Sequence, residues 1–376
     1  MKVVMVDLTR EYNELKNDID KAVSSVINKC NFILGEDVVK FEEEFAKLNG
    51  SKYAVSVASG TDALRIALMA SGIGAGDEVI TTPFTFIATT ETISQAGAKV
   101  VFADIEEETY NIDPKSIEKK ITPKTKAILP VHLYGHPANM KEIMEIAKKH
   151  NLIVIEDCAQ AFTAKYKMGT DWKFVGSMGK CGTFSFFPAK NLGAYGDGGL
   201  ITTDDEKVAN MIKTLRNHGS SQRYIYETEG FNSRLDTIQA AILRVKLQKI
   251  LKFTEMRNEV AKKYEKALTG LCKTPVVKEE CYHSFNYYTI RFDSKETRDR
   301  VSKHLTENQV ANQIYYPIAL HLQKAYKHLG YKEGDLPVTE RIQNEVLSLP
   351  MFPQLSDEEI LYVAEKIKEA VKVKTI

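Results

Sequence analysis

The sequence predicts an α/β fold in which a large domain on a mostly parallel sheet is followed by a smaller α+β domain. Three observations carry this. The chain has 376 residues, more than one typical domain of roughly 100–200 residues. Between residues 50 and 205, short β-branched runs alternate with segments of helical period. Beyond residue 205 the alternation gives way to helices separated by isolated strands.

Each element follows from its residues. Tyr53-Ala54-Val55-Ser56-Val57 is a strand, and 61–71 a helix with Leu64, Ala67 and Leu68 at helical spacing and Gly72 as its stop. Residues 78–81 and 99–103 are strands on either side of a helix over 88–95. A helix over 114–121 carries Pro114 in its first turn. KAILPVHL, residues 126–133, is a buried strand, and 139–150 an amphipathic helix. Leu152-Ile153-Val154-Ile155 is a strand that ends in Glu156-Asp157. Strands at this spacing imply crossover connections and a parallel sheet covered on both faces.

Farther along, 205–217 is a helix closed by Gly219, and a helical stretch runs with interruptions from 235 to 268. YYTIRF (287–292) is a strand, 296–307 a charged helix, Ile314-Tyr315-Tyr316 a short extended run, and 357–373 a last amphipathic helix. The boundary is expected inside the long helix. Residues 1–250 are therefore assigned to the large domain and 251–376 to the small one, with the N-terminal helix free to pack on the latter.

Composition narrows the function. Hydrophobic residues make up 43% and charged residues 27%, which excludes a disordered chain. Lys and Arg number 51 against 50 Asp and Glu, a net charge of +1, so no bulk field draws the protein to nucleic acid or an anionic membrane. Any anionic ligand must be held by a local site. No apolar run approaches the roughly 18–20 residues of a membrane span, and MKVVMVDLTREYNELK becomes charged too quickly for a signal peptide. The expectation is a cytoplasmic protein. Its five cysteines are scattered and form no CxxC pair, as fits reduced thiols.

Several motifs fail on context. Gly72-Ile73-Gly74-Ala75-Gly76 follows a helix, where a dinucleotide fingerprint must follow a strand, and Asp77 takes the third glycine position. Around Gly179-Lys180, Phe174 and Cys181 replace the glycine and Ser/Thr of a phosphate loop. No histidine pairs with another His or a Cys at ligand spacing, so no metal site is expected.

Three segments make chemical sense together. Ser59-Gly60-Thr61, between a strand and a helix, offers free N–H groups, a helix dipole and a hydroxyl to a phosphate, although alone it reads as a plain N-cap. Glu156-Asp157-Cys158-Ala159-Gln160 places carboxylates at the carboxyl end of a buried strand, where open α/β sheets bind ligands. Phe184 to Gly199 holds a single lysine, Lys190, in an apolar stretch punctuated by Pro188 and glycines. Desolvation lowers a lysine pKa, and a neutral amine is what Schiff-base chemistry requires. A phosphate anchor, an acid and an amine are the three needs of pyridoxal phosphate.

SGTDAL, TFIAT, EDCAQA, FSFFPAKNLGAYGDGG, GFNSRLDTIQAA, YYP…H and LSLPMFP, in this order, resemble the DegT/DnrJ/StrS family of nucleotide-sugar aminotransferases. The resemblance runs from VDLTREY to the last helix. It implies the aspartate-aminotransferase (fold type I) architecture with a mostly parallel seven-stranded sheet, pyridoxal 5'-phosphate as cofactor, and a homodimer with active sites shared between subunits.

The resemblance also assigns roles. Lys190 matches the lysine that bonds the cofactor and shuttles the proton, and Asp157 the partner of its ring nitrogen. Gln160 matches a contact near the ring hydroxyl, and Phe86 the aromatic that stacks on the ring. Gly60, Thr61 and Ser185 match phosphate contacts, and Asn232 one contributed by the neighbouring subunit. Arg234 matches a residue that meets an anionic group of glutamate or sugar, while Tyr315, Tyr316 and His321 fall in the segment that approaches the sugar. Dehydratases of the family carry His in place of Lys190, so the transaminase branch is favoured. The stretch 167–174 looks longer than the usual family turn and holds the only Trp.

The implied activity moves the amino group of L-glutamate to a nucleotide-linked ketosugar. The favoured position is the C3 ketone of a UDP-N-acetylated hexose or dTDP-6-deoxyhexose, for glycan or deoxyaminosugar biosynthesis. The alternatives are a C4 ketone and a non-catalytic pyridoxal-phosphate-binding regulator on the same fold.

Overall fold

The computed structural model describes residues 1–372. Two helices, α1 (Leu8–Lys29) and α2 (Glu36–Asn49), precede the first strand. The Asp7 carboxylate caps α1 by accepting from the Thr9 and Arg10 N–H groups, and Gly50 closes α2 at a φ of 78° that suits a residue without a Cβ.

Strands and helices then alternate as expected: β1 (Tyr53–Val57), α3 (Gly60–Ala70), β2 (Glu78–Thr81), α4 (Ala88–Gln95), β3 (Lys99–Phe102), α5 (Pro114–Lys120), β4 (Thr125–Leu129), α6 (Met140–His150) and β5 (Ile153–Asp157). A hairpin follows, β6 (Lys165–Met168) and β7 (Asp171–Phe174), and carries Trp172 exposed. The sheet is completed by β8 (Cys181–Ser185) and β9 (Gly199–Thr203) in the order β1-β9-β8-β5-β4-β2-β3. Strands β3, β2, β4, β5 and β8 pair parallel, while β9 runs antiparallel to both β1 and β8. The mostly parallel seven-stranded sheet of fold type I is therefore present. Its strands are buried almost throughout, as a sheet covered on both faces demands.

Next come α7 (Glu206–Leu215), a short hairpin of β10 (Ser220–Gln222) and β11 (Ile225–Tyr226), α8 (Thr237–Leu247) and α9 (Ile250–Ala267). The helical stretch expected over 235–268 is thus two helices, because its two parts serve different cores. Ala240 and Leu243 of α8 pack with Phe41, Phe45 and Phe186 behind the sheet. Val260, Ala261 and Tyr264 of α9 enter a second core. After β12 (Cys281–Tyr282), that core is built by β13 (Tyr288–Arg291), α10 (Lys295–Glu307), β14 (Val346–Leu349) and α12 (Asp357–Lys372), with α11 (Pro337–Glu345) on the way. Val3 is part of the same core, and Arg10 of α1 pairs with Glu359 of α12 at 2.6 Å. Val373, expected to end the last helix, lies outside the described residues.

Ile314-Tyr315-Tyr316 does not form a strand; only Gln313 bridges to Ser348. Instead Tyr315 and Tyr316 turn back and pack beside Phe84, Val131 and Tyr134 at the carboxyl ends of the sheet strands. Among the described residues, no helix is long and apolar enough to cross a membrane.

Candidate active site

The carboxyl ends of β2, β4, β5 and β8, together with the turn after β1, surround a cavity of about 330 Å³. Gly60, Thr61, Phe86, Asp157, Gln160, Ser185, Lys190, Tyr315 and Tyr316 all line it. A roomier cleft of about 750 Å³ opens between residues 106–110 and 273–281. None of the sequence-predicted residues borders it, and its cations Lys273, Lys278 and Arg291 are already paired with Asp293, Glu108 and Glu107. The smaller cavity is the one with chemistry in it.

Strand alternation separates the two acids that end β5. Glu156 points behind the sheet and accepts from the backbone N–H groups of Gly176, Met178 and Gly179 and from His132 Nε2 at 3.0 Å. His132 Nδ1 accepts from the Ala138 N–H, which places the ring proton on Nε2. Glu156 is thus committed to the scaffold. Its neighbour Asp157 faces the cavity, buried, with Oδ2 accepting from the Thr89 hydroxyl at 2.8 Å and Oδ1 from the Ala159 N–H at 3.1 Å. Burial pushes its carboxyl above the ordinary range, and the Ala159 N–H, the Thr89 hydroxyl and Lys190 pull it back.

Lys190 follows β8 in a turn whose N–H bonds the Phe187 carbonyl. Burial pulls its amine down to about 8 from the ordinary 10.5, and Asp157 opposes the shift. The amine is therefore part neutral near physiological pH, as a nucleophile must be.

Ser59 caps α3, its hydroxyl accepting from the Asp62 N–H, so the Gly60 and Thr61 N–H groups stand free of intrahelical partners at the positive end of the dipole. Gly60 is there because nothing larger fits: a Cβ on it would lie 2.5 Å from the Ser185 Cβ and 2.9 Å from the Ser185 Oγ. Two backbone donors and two hydroxyls thus meet in a cradle sized for a phosphate.

On the opposite wall, Gln160 accepts from the Tyr134 N–H through Oε1 and donates from Nε2 to the Tyr316 hydroxyl at 2.8 Å. Tyr315 stacks obliquely on Tyr287, with ring centroids 4.4 Å apart, and its carbonyl accepts from the Tyr134 hydroxyl. Phe86 presents a ring that is 57% exposed at the mouth.

Three expected residues lie elsewhere. His321 is buried, with Nε2 3.0 Å from the Glu340 carboxylate and its ring edge-on to Phe102 and Tyr331. It does not border the cavity of its own chain, because Leu320 sinks into the large core and its N–H bonds the Pro83 carbonyl, drawing His321 in with it. Asn232 is exposed and bridges to Asn217 through the backbone, and Arg234 donates to the Asn217 side chain at 2.9 Å. Neither borders the cavity of its own chain. Sequence reasoning missed Thr85, Thr89, Phe187, Asp197 and Tyr287, which also line the site. Thr85 and Thr89 both fall inside the TFIAT motif that singled out Phe86, and nothing in the sequence set them apart from it.

The chain matches the family model of the DegT/DnrJ/EryC1/StrS aminotransferase family over residues 13–368. It is 48% identical over 98% of both chains to a pleiotropic regulatory protein of Geobacillus stearothermophilus. It is 43% identical, again over 98% of both, to a UDP-N-acetyl-3-dehydro-α-D-glucosamine 3-aminotransferase of Acidithiobacillus ferrooxidans. The solved structure of S. venezuelae DesV, in complex with a ketimine intermediate, superposes with a TM-score of 0.95 at 39% identity, covering all of both chains. Aminotransferases of this family use pyridoxal phosphate, and the donor cradle, the buried carboxylate and the depressed amine of this cavity fit that group. The chain belongs to the DegT/DnrJ/EryC1/StrS aminotransferase family.

Proposed function

We propose that the protein transfers the amino group of L-glutamate to a nucleotide-linked ketosugar, with the C3 ketone of a UDP-N-acetylated hexose or a dTDP-6-deoxyhexose as the favoured acceptor. The observation that carries the reading is the convergence of Lys190, Asp157 and the Ser59–Thr61 turn on one cavity. The 3-aminotransferase name of the Acidithiobacillus relative supports the position.

Bound pyridoxal phosphate supplies an aldehyde that takes up an amino group and a ring that withdraws electrons from the reacting carbon. The Gly60 and Thr61 N–H groups and the Ser185 hydroxyl hold its phosphate. Asp157, whose donors and Lys190 offset part of the effect of burial, would pair with the ring nitrogen. Phe86 offers its ring face, and Gln160 and Tyr316 border the far side. Lys190 Nζ would take a proton from the amino donor's carbon in the first half-reaction and, in a separate transfer, deliver one to the sugar carbon in the second. Asn232 and Arg234 serve the neighbouring subunit's site in a homodimer, where they meet phosphate and substrate anions.

The test loads the holoenzyme with L-glutamate and then offers a panel of nucleotide-ketosugars. Glutamate is expected to bleach the visible absorbance of the bound cofactor and release 2-oxoglutarate, after which one ketosugar is aminated. An unchanged spectrum overturns the donor, and amination only at a C4 ketone overturns the position. A second reading, a non-catalytic regulator that binds the cofactor, draws on the name of the Geobacillus relative. That reading requires no turnover on any ketosugar, and a reactive Lys190 beside Asp157 argues against it.

A further inference from the structure

One buried serine sits where the phosphate turn begins and ends. Ser233 is fully buried, and its hydroxyl has two partners. It accepts from the Ala58 N–H at 3.1 Å and donates to Asp62 Oδ2 at 2.7 Å. Ala58 is the residue before Ser59, and Asp62 the residue after Thr61. A single hydroxyl, 171 residues away from Asp62 in the chain, therefore bridges both ends of the Ser59-Gly60-Thr61 turn. The far carboxylate oxygen of Asp62 is held by Arg65 at 2.5 Å, whose guanidinium lies 4.0 Å over the Phe231 ring. The same segment, 231–234, thus grips the turn at two points.

We propose that Ser233 is a positioning residue for the cofactor phosphate: by tying Ala58 to Asp62 it fixes the direction of the Gly60 and Thr61 N–H groups. The reason is geometric. An anion held by backbone donors is bound well only when those donors already converge, since reorganising them on binding costs affinity. The turn has no room to adjust on its Ser185 side, where Gly60 is in contact, or beneath it, where a Cβ on Gly199 would lie 2.2 Å from the Ser59 carbonyl oxygen. The open side is the one Ser233 closes. Asn232 and Arg234 flank Ser233, so the same anchor fixes the root of the two residues assigned above to the neighbouring subunit. The inference rests on the proposed cofactor reading, and its test separates the two.

The experiment measures binding of pyridoxamine 5'-phosphate and of pyridoxamine to the full-length apoprotein by calorimetry. Both ligands lack the aldehyde, so no bond to Lys190 enters, and they differ only in the phosphate. Wild type is expected to prefer the phosphorylated ligand strongly; equal affinities would overturn the cofactor reading itself. In Ser233→Ala the preference is expected to shrink about tenfold, the effect of leaving a buried donor and acceptor unpaired. The affinity for pyridoxamine should stay unchanged, and Ser233→Thr should restore the preference. A purely structural role would weaken both ligands in parallel, and that result, or an unchanged preference, overturns the proposal. Should Ser233→Ala fail to fold, Asp62→Ala removes one arm of the bridge and is expected to show the same phosphate-selective loss. An unchanged preference in that variant overturns the proposal equally.

Discussion

Lys190 is an amine kept where its charged form is poorly solvated. Its pKa falls to about 8 in the folded chain from the ordinary 10.5. Between those values the unfolded chain binds more protons than the folded one, so stability rises with pH across that window. The cost of burying the amine is present in full below about pH 8 and is relieved as the pH climbs toward 10. Replacing the amine by an uncharged side chain of similar length should remove that cost. Lys190→Met apoprotein is expected to be more stable than wild type by about 1–3 kcal/mol at pH 7, with the gain shrinking toward pH 10. Urea unfolding of both apoproteins at the two pH values checks this. A constant gain, or none at pH 7, would mean that the amine is well solvated. Lys190 is thus a site where a reactive amine is held at the expense of stability.

At the scale of elements, the end of β5 does two jobs because successive side chains face opposite ways. Asp157 serves the cavity, while Glu156 gathers the backbone of residues 176–179 and the His132 ring. That backbone leads directly into β8, which carries Ser185 and the Lys190 turn. Glu156→Gln puts an amide NH₂ against groups that can only donate. It is expected to cost about 2–4 kcal/mol, read as a lowered melting temperature of the holoenzyme. An unchanged melting temperature would show that residues 176–179 hold their course without the carboxylate. The parallel strands were legible because burial on both faces writes itself as unbroken apolar runs such as Ala127-Ile128-Leu129. β8 and β9 were not, since glycines and a lysine turn interrupt that pattern between residues 186 and 199. Lys190, Asp157 and the Ser59 turn were legible because each sits at a junction with its own local signature. The hydroxyl that Thr89 gives to Asp157 joins residues 68 apart and left no local trace. The place of His321 away from the cavity was equally hidden, because burial by a neighbour, Leu320, is decided by tertiary packing.

Across the whole molecule, the residues expected to bind phosphate and substrate, the buried His321 apart, fall into two groups. One lines the cavity of this chain. The other, Asn232 and Arg234, emerges from a segment anchored beside the cavity but outside it, and Arg234 Nε is buried without a hydrogen-bond partner among the described residues. The β10–β11 hairpin leaves Tyr224, Ile225 and Tyr226 75%, 55% and 62% exposed. Exposed apolar side chains of this kind suit an interface, and in the proposed homodimer a two-fold axis would carry each subunit's segment to the other's cavity. This arrangement predicts complementation between two defective chains. Lys190→Ala abolishes the site in its own subunit but leaves a sound Asn232 and Arg234. A chain with Asn232→Ala and Arg234→Ala keeps a sound lysine but fails its partner. In a mixed dimer, the site built on the sound lysine receives intact residues from the lysine-deficient chain and regains function. Random reassortment makes about half of the dimers mixed, each with one working site of two, so activity should recover to about a quarter of wild type. Separately purified variants, mixed after mild dissociation and assayed for transamination, give the answer. No recovery, despite mixed dimers detected by differential tagging, would place Asn232 and Arg234 in the service of their own chain.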